Sequence, residues 1–191
     1  LSAGLYTITG VDQNGCTFST FFAVNQPPLL TFASAFSTPA ICNNGATGTI
    51  ILKVNGGWGT INLSVSPNAG TILSPGMITN LPGNQTYTLT ATDANGCTAQ
   101  SSVFVANPPA VQFTQASSSP VVCNGAANGS IQVQAQGGTG TLTYTIQPGG
   151  SSNTSGVFNG LNGTIYTITV VDANNCSQTT TVAVFEPSAL Q

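Results

Sequence analysis

The side chains with the most chemical potential in this chain, cysteine and aspartate, recur together in one string. It reads Tyr6-Thr-Ile-Thr-Gly-Val-Asp12-Gln-Asn-Gly15-Cys16, then Tyr87-Thr-Leu-Thr-Ala-Thr-Asp93-Ala-Asn-Gly96-Cys97, then Tyr166-Thr-Ile-Thr-Val-Val-Asp172-Ala-Asn-Asn175-Cys176. Paired carboxylates could do acid/base work, and clustered ones could bind a cation. Acid/base catalysis usually needs His or two tuned carboxylates. The sequence has no His, and its only acids are Asp12, Asp93, Asp172 and Glu186. The three Asp are equivalent copies in separate repeats, so they do not converge on one substrate. No catalytic residue and no cofactor are expected, and the chain reads as no enzyme. Calcium takes six to eight oxygens and usually several carboxylates; one Asp per copy does not supply them, so no metal is expected. The simpler role of Asp12, Asp93 and Asp172 is to cap a tight hairpin turn. There Asp accepts bonds from the turn backbone and Gly, or Asn in the last copy, tolerates positive φ.

The spacing of the strings sets the organisation. The step is 81 residues from Tyr6 to Tyr87 and 79 from Tyr87 to Tyr166. Cys42 and Cys123, Ile50 and Ile131, and the pairs Gly56-Gly57 and Gly137-Gly138 keep the step of 81. A fixed period marks an array, and one near 80 suits a small all-β domain better than a solenoid coil. Residues alternate with period 2 inside each copy. Ile50, Leu52 and Val54 align with Ile131, Val133 and Ala135, while Lys53 and Gln134 face the other way. Such alternation predicts half-buried strands, and Gly and Pro clusters fall between them. A Leu precedes each repeated Tyr: Leu1, Leu81 and Leu161. This is the pattern of the tyrosine corner of β-sandwiches, with Tyr6, Tyr87 and Tyr166 bonding back to the backbone just upstream.

The expected fold is therefore all-β: tandem immunoglobulin- or fibronectin-like sandwiches of about six to seven strands, without significant helix. The expected division is a hairpin of a preceding truncated repeat at 1–28, complete repeats at 29–109 and 110–187, and the start of another repeat or a linker at 188–191. Pro27-Pro28, Pro108-Pro109 and Pro187 mark the joints, since proline ends strands and stiffens junctions. Residue 1 is Leu and no signal peptide is visible, so the chain reads as an internal piece of something longer.

Five cysteines make an odd set. Each complete repeat holds two, so the expected bridges are Cys42–Cys97 and Cys123–Cys176, with Cys16 left by truncation. Closing a 55-residue loop would stabilise a repeat by roughly 4 kcal/mol on the chain-entropy model. The alternative links neighbouring copies, Cys16–Cys42 and Cys97–Cys123. It is disfavoured because the last strand of one repeat carries Cys97 away from Cys123, beyond the reach of a bridge. If Cys42 meets Cys97, the second and last strands start at the same end. An up-and-down count is then even: six main strands, with Asn68–Asn80 and Gly149–Gly160 each giving one short strand. Recurrent paired cysteines without C-x-x-C spacing point to an oxidising, extracellular setting.

Charge is nearly absent: one Lys or Arg, four acids and a formal net charge of −3 over 191 residues. Nucleic acid is excluded as a partner, because displacing counterions from phosphates needs several cations. No apolar run is long enough to span a bilayer, and the lack of basic residues excludes an anionic membrane surface.

The segments Cys123-Asn-Gly…Gly129-Ser-Ile, Gly137-Gly-Thr-Gly, Gly163-Thr-Ile-Tyr-Thr-Ile-Thr-Val-Val-Asp-Ala-Asn-Asn-Cys176 and Glu186-Pro187 resemble the SprB-type repeats of Bacteroidetes surface proteins. The resemblance covers essentially the whole chain. It implies a very long secreted protein displayed on the cell surface, of the kind that includes a filamentous adhesin propelled in gliding motility and exported by the type IX system. Two functions compete. One is a structural shaft of an extracellular filament or adhesin, whose partners are neighbouring copies of the same chain. The other is an array of glycan-binding modules. A binding array should keep its aromatic contacts in every copy, yet Trp58 is matched by Thr139, which favours the shaft. An ice-binding surface built from the Thr-x-Thr strings is disfavoured, because the repeats are domains and not a flat ladder of short coils.

Overall fold

The computed structural model describes residues 1–73 and 76–191. Its described residues form strands and turns and no helix. A first hairpin pairs β1 (Gly4–Val11) with β2 (Thr17–Val24), and these strands pair only with each other. A first seven-stranded unit follows: β3 (Thr31–Thr38), β4 (Gly48–Asn55), β5 (Asn62–Ser66), β6 (Thr71–Leu73), β7 (Met77–Leu81), β8 (Gln85–Thr92) and β9 (Thr98–Val105). A second comprises β10 (Gln112–Ser119), β11 (Gly129–Gln136), β12 (Thr143–Gln147), β13 (Ser152–Asn153), β14 (Val157–Leu161), β15 (Ile165–Val171) and β16 (Ser177–Ala183).

In the first unit one sheet has the order β3-β4-β7-β6 and the other β5-β8-β9. All pairings are antiparallel. This is the two-sheet arrangement of a constant-type immunoglobulin sandwich. The second unit has sheets β10-β11-β14 and β13-β12-β15-β16. Its short fourth strand has changed sheets, pairing with β12 where β6 pairs with β7.

The period-2 alternation decides what is buried. Ile50 and Leu52 of β4 and Leu89 and Ala91 of β8 enter the first core, as Ile131 and Val133, and Ile168 and Val170, enter the second. Lys53 and Gln134 face solvent. Fully burying an Ile or Leu side chain contributes about 1.5–3 kcal/mol, so each core rests on its interleaved aliphatics, joined by Tyr87 of β8 in the first and by Tyr144, Phe158 and Tyr166 in the second. The hairpin has no such partner: Leu5, Ile8, Phe18 and Phe21 are exposed.

The six-strand count is corrected to seven. The stretch 149–160 yields β13 and the start of β14, and 68–80 yields β6 and most of β7, with Ser74 and Pro75 outside the described residues. The Asn153 side chain explains the break in the second unit. Its Oδ1 accepts bonds from the backbone N–H groups of Ser155 (3.0 Å) and Gly156 (2.7 Å), closing a turn within the segment.

The repeat cores predict a sharp contrast between neighbours on β15. Ile168→Ala should cost about 2–5 kcal/mol, by lost transfer energy and the cavity left behind. Thr167→Ala on the exposed face should stay within about 0.5 kcal/mol. Urea unfolding of the two variants measures the difference.

Candidate functional site: the joint between units

Seven alternating strands carry the chain from one pole of a unit to the other. We call these the upstream and downstream poles. At the downstream pole of the first unit, the segment after β3 crosses to the tail of β9, where Ala40 N–H donates to the Ala106 carbonyl (2.9 Å). Cys42 follows, and the Asn43 side-chain amide donates to the Pro108 carbonyl (2.9 Å). The segment before β4 is thereby tied to the outgoing chain. Gly48 packs where a side chain would strike Val105 and the Leu81 carbonyl, which holds β4 against the closing strand.

The upstream pole is built around a carboxylate. In the second unit, Asp172 Oδ1 accepts from the backbone N–H groups of Asn174 (2.8 Å) and Cys176 (2.9 Å). Its Oδ2 accepts from Thr139 N–H (2.8 Å). Asp93 repeats the geometry with Asn95 (2.9 Å), Cys97 (2.9 Å) and Trp58 (3.0 Å). The side chain therefore ties its own turn to the loop before β5 or β12. Gly137 and Gly138 make that loop possible. Both have positive φ, and a side chain on Gly137 would strike the Ala110 carbonyl. Asp93 and Asp172 are both buried. Burial pushes each carboxyl up. The converging N–H donors of Cys97, Trp58 and Asn95, and of Cys176, Thr139 and Asn174, outweigh it and hold both below the ordinary value of 3.8. Asp12 accepts from Asn14 and Cys16 (both 2.8 Å) and remains exposed in the lone hairpin.

The two poles meet at Pro108-Pro109. There Cys42 of the first unit is bonded to Cys176 of the second, with 5.6 Å between Cα atoms and 134 residues between them in sequence. Among the described residues Cys16, Cys97 and Cys123 are unbridged and exposed. This corrects the pairings expected from the sequence. Cys42–Cys97 and Cys123–Cys176 are not formed, because an odd strand count puts the two cysteines of a unit at opposite poles. Cys42 lies beside Pro108, whereas Cys97 sits on the Asp93 turn whose loop reaches back to Pro28 through Gly57 N–H (2.8 Å). Linkage between neighbours does occur, but from the first cysteine of one unit to the second of the next. The alternative Cys16–Cys42 and Cys97–Cys123 pairs do not form.

The repeated tyrosines sit upstream of the same turns. The hydroxyls of Tyr6, Tyr87 and Tyr166 donate to the carbonyls of Ser2 (2.7 Å), Pro82 (3.0 Å) and Asn162 (3.3 Å). Trp58 is 61% exposed. Two contributors escaped sequence reasoning. Glu186 accepts from Gly125 N–H (2.5 Å), and Asn124 repeats the Asn43 bond on Pro187 (3.1 Å). The Cys-Asn dipeptide shared at 42 and 123 was the available signal. The joint encloses a cleft of about 390 Å³ lined by Cys42, Asn43, Pro109, Asn175 and Cys176. No group of three metal-ligating side chains occurs among the described residues.

The family model for the SprB repeat matches residues 115–151, from within β10 to just past β12, in agreement with the resemblance read from the motifs. No curated protein matches the chain. Among solved structures it is similar to extracellular domains 3–5 of Drosophila OTK, at 14% identity over 97% of this chain and 72% of that one, with a TM-score of 0.38. It is also similar to immunoglobulin domains 1–4 of Sidekick-1, at 15% identity over 97% and 59% with a TM-score of 0.36. A third is the C-terminal 282-residue fragment of intimin in complex with the Tir intimin-binding domain, at 15% identity over 84% and 64% with a TM-score of 0.33. The chain spans less than two thirds of the latter two.

Acid should act through the buried carboxylates. A carboxyl held below its unfolded value contributes stability that is present above that value and lost as pH falls through the folded one. Stability should therefore stay level above about pH 4 and decline below it. Asp93→Asn with Asp172→Asn should flatten the decline and also destabilise at neutral pH, since an amide N–H would then face an N–H of the turn or the loop. An unchanged acid slope in chemical unfolding would assign the decline elsewhere. Reduction is expected to do something different. It should free the joint and leave both cores folded, seen as broadened small-angle scattering with little change in the unfolding midpoint.

Proposed function

We propose that this chain is a segment of the shaft of a long extracellular repeat protein, a filament or filament-like adhesin on a bacterial surface. On this reading 29–109 and 110–187 are successive repeats. Residues 1–28 are the closing hairpin of a preceding one, and 188–191 lead into another repeat or a linker. The observation that carries it is the bridged joint: each unit takes the chain in at one pole and releases it at the other, and Cys42–Cys176 clamps consecutive units across the joint. The SprB-repeat match supports the surface location, and gliding motility is its extension to a moving adhesin. The disulfide supports an oxidising compartment. The Asp turns and tyrosine hydroxyls serve as structural caps in this reading, and the protein is not an enzyme.

The partners are neighbouring copies of the same chain. Outward strand positions carry mostly Thr, Ser, Asn and Gln, and the formal charge is −3 over 191 residues. Such surfaces lack long-range repulsion, so shafts can pack side by side with little dependence on salt. The second reading, an array binding surface glycans, draws on exposed Trp58. It is weakened by Thr139 at the matching position. Electron microscopy and sedimentation of native material should show bundled shafts at both low and high salt. Isolated rods one unit wide under both conditions would overturn lateral packing. Carbohydrate binding lost in Trp58→Ala would favour the second reading.

A further inference from the structure

We propose that the Cys42–Cys176 bridge is one member of an iterated series. Cys123 bonds the turn cysteine of a repeat seated on the downstream pole of the second unit. Cys97 bonds the first cysteine of a repeat seated on the upstream pole of the first. The inference rests on the repeat-array reading above.

The unbridged cysteines are presented in the same way as their bridged counterparts. At the downstream pole, Val121 N–H donates to the Phe185 carbonyl (3.0 Å) as Ala40 does to Ala106 (2.9 Å). The Asn124 amide holds Pro187 as Asn43 holds Pro108. Ala126 N–H donates to the Cys123 carbonyl as Gly45 does to that of Cys42, both at 3.0 Å. Cys123 thus stands at Pro187 as Cys42 stands at Pro108. A cleft of about 410 Å³ lined by Cys123, Asn124 and Pro187 lies open beside it. At the upstream pole, Cys97 and Cys176 each donate a backbone N–H to the preceding Asp Oδ1 at 2.9 Å. Cys97 is exposed, where Cys176 meets its partner. Large apolar side chains are exposed at both free poles. Leu29 and Trp58 are 82% and 61% exposed on the free upstream pole, and Phe185 is 71% exposed on the free downstream pole. Thr139, the counterpart of Trp58, lines the occupied joint beside Ala40 and Pro108. Trp58 is therefore placed to cover the joint with a preceding repeat.

Each bridge forms by thiol–disulfide exchange with a disulfide-bearing oxidant. One thiolate attacks the oxidant's disulfide and releases its first thiol. The partner thiolate attacks the mixed disulfide and releases the second. Two protein thiols become one disulfide, and the two electrons and two protons end on the oxidant's dithiol.

Non-reducing peptide mapping of the native protein tests the series. The Cys123 peptide is expected joined to a peptide ending in the Tyr…Asp-x-Asn-x-Cys string of the following repeat. The Cys97 peptide is expected joined to one carrying the first cysteine of the preceding repeat. Free, alkylatable Cys97 and Cys123 in the native oxidised protein would overturn it, as would Cys97 joined to Cys42. On the 191-residue chain alone, a maleimide without reductant should label Cys16, Cys97 and Cys123 and spare Cys42 and Cys176; labelling of Cys42 would remove the template for the series. Mass under non-reducing conditions separates the sources. Joining within one polypeptide leaves the mass unchanged, whereas ladders of multiples would show that separate copies supply the partner and overturn the within-chain series. Sedimentation of the same sample keeps the two readings apart. Extended particles with free thiols refute the series and leave the array standing, whereas compact particles refute the array itself.

Discussion

In a sandwich where every strand reverses the one before, an odd count makes the first and last strands run the same way. Each unit here has seven among the described residues. The chain therefore goes in at one pole and out at the other, and β3 lies alongside β9 with Ser37 Oγ donating to the Phe104 carbonyl (2.7 Å) near the downstream pole. The other features depend on that parity. It puts the buried carboxylate at one pole and the Asn-to-proline bond at the other. It also separates the two cysteines of a unit by its full length, so that a cysteine can be bridged only by a neighbour. Units with an even count would return the chain to its starting pole and could not be joined end to end by these elements.

The units hold together without side-chain ion pairs among the described residues. Lys53 is the only basic side chain, and it points to solvent. Among the described residues no disulfide closes within a unit, so each unit depends on apolar packing and on buried polar groups that are satisfied, with Asn107 Oδ1 the exception. The tyrosine hydroxyl meets a carbonyl, and the Asp oxygens meet three N–H groups. An unpaired buried polar group would cost about 1–3 kcal/mol, a large share of the stability of a domain of this size. The different placement of β6 and β13 fits this picture. Both are short and bury little, so moving the strand from one sheet to the other leaves the cores intact.

Much of this was legible in the sequence. Alternation at Ile50-Ile-Leu52-Lys-Val54 and its copy specified strands and their inward faces. The Gly-Gly pairs, the Asp turns and the Leu-to-Tyr spacing were visible because each needs a particular residue type. The bridge was not legible. Cysteines spaced by a period look the same whether a unit pairs with itself or with the next one. A strand count inferred from a bridge inverts the physical dependence, because the strand count decides which bridge can form. β13 has only two residues, too few to show a period, and the turn after it depends on one side chain, Asn153. The parts of Trp58 and Thr139 at the carboxylates lie in their backbone N–H groups, on which residue identity is silent.

One consequence of the bridged joint concerns load. A pull applied at Leu1 and Gln191 reaches Cys42, crosses the sulfur–sulfur bond and continues from Cys176, so the covalent path bypasses the residues between. Those two cysteines are 134 residues apart. At about 3.3–3.6 Å per extended residue, the bypassed stretch represents roughly 450 Å of contour. None of it can be drawn out while the bond is intact, even if the second unit were to unravel. Reduction would restore that slack, so the extensibility of the segment is under redox control.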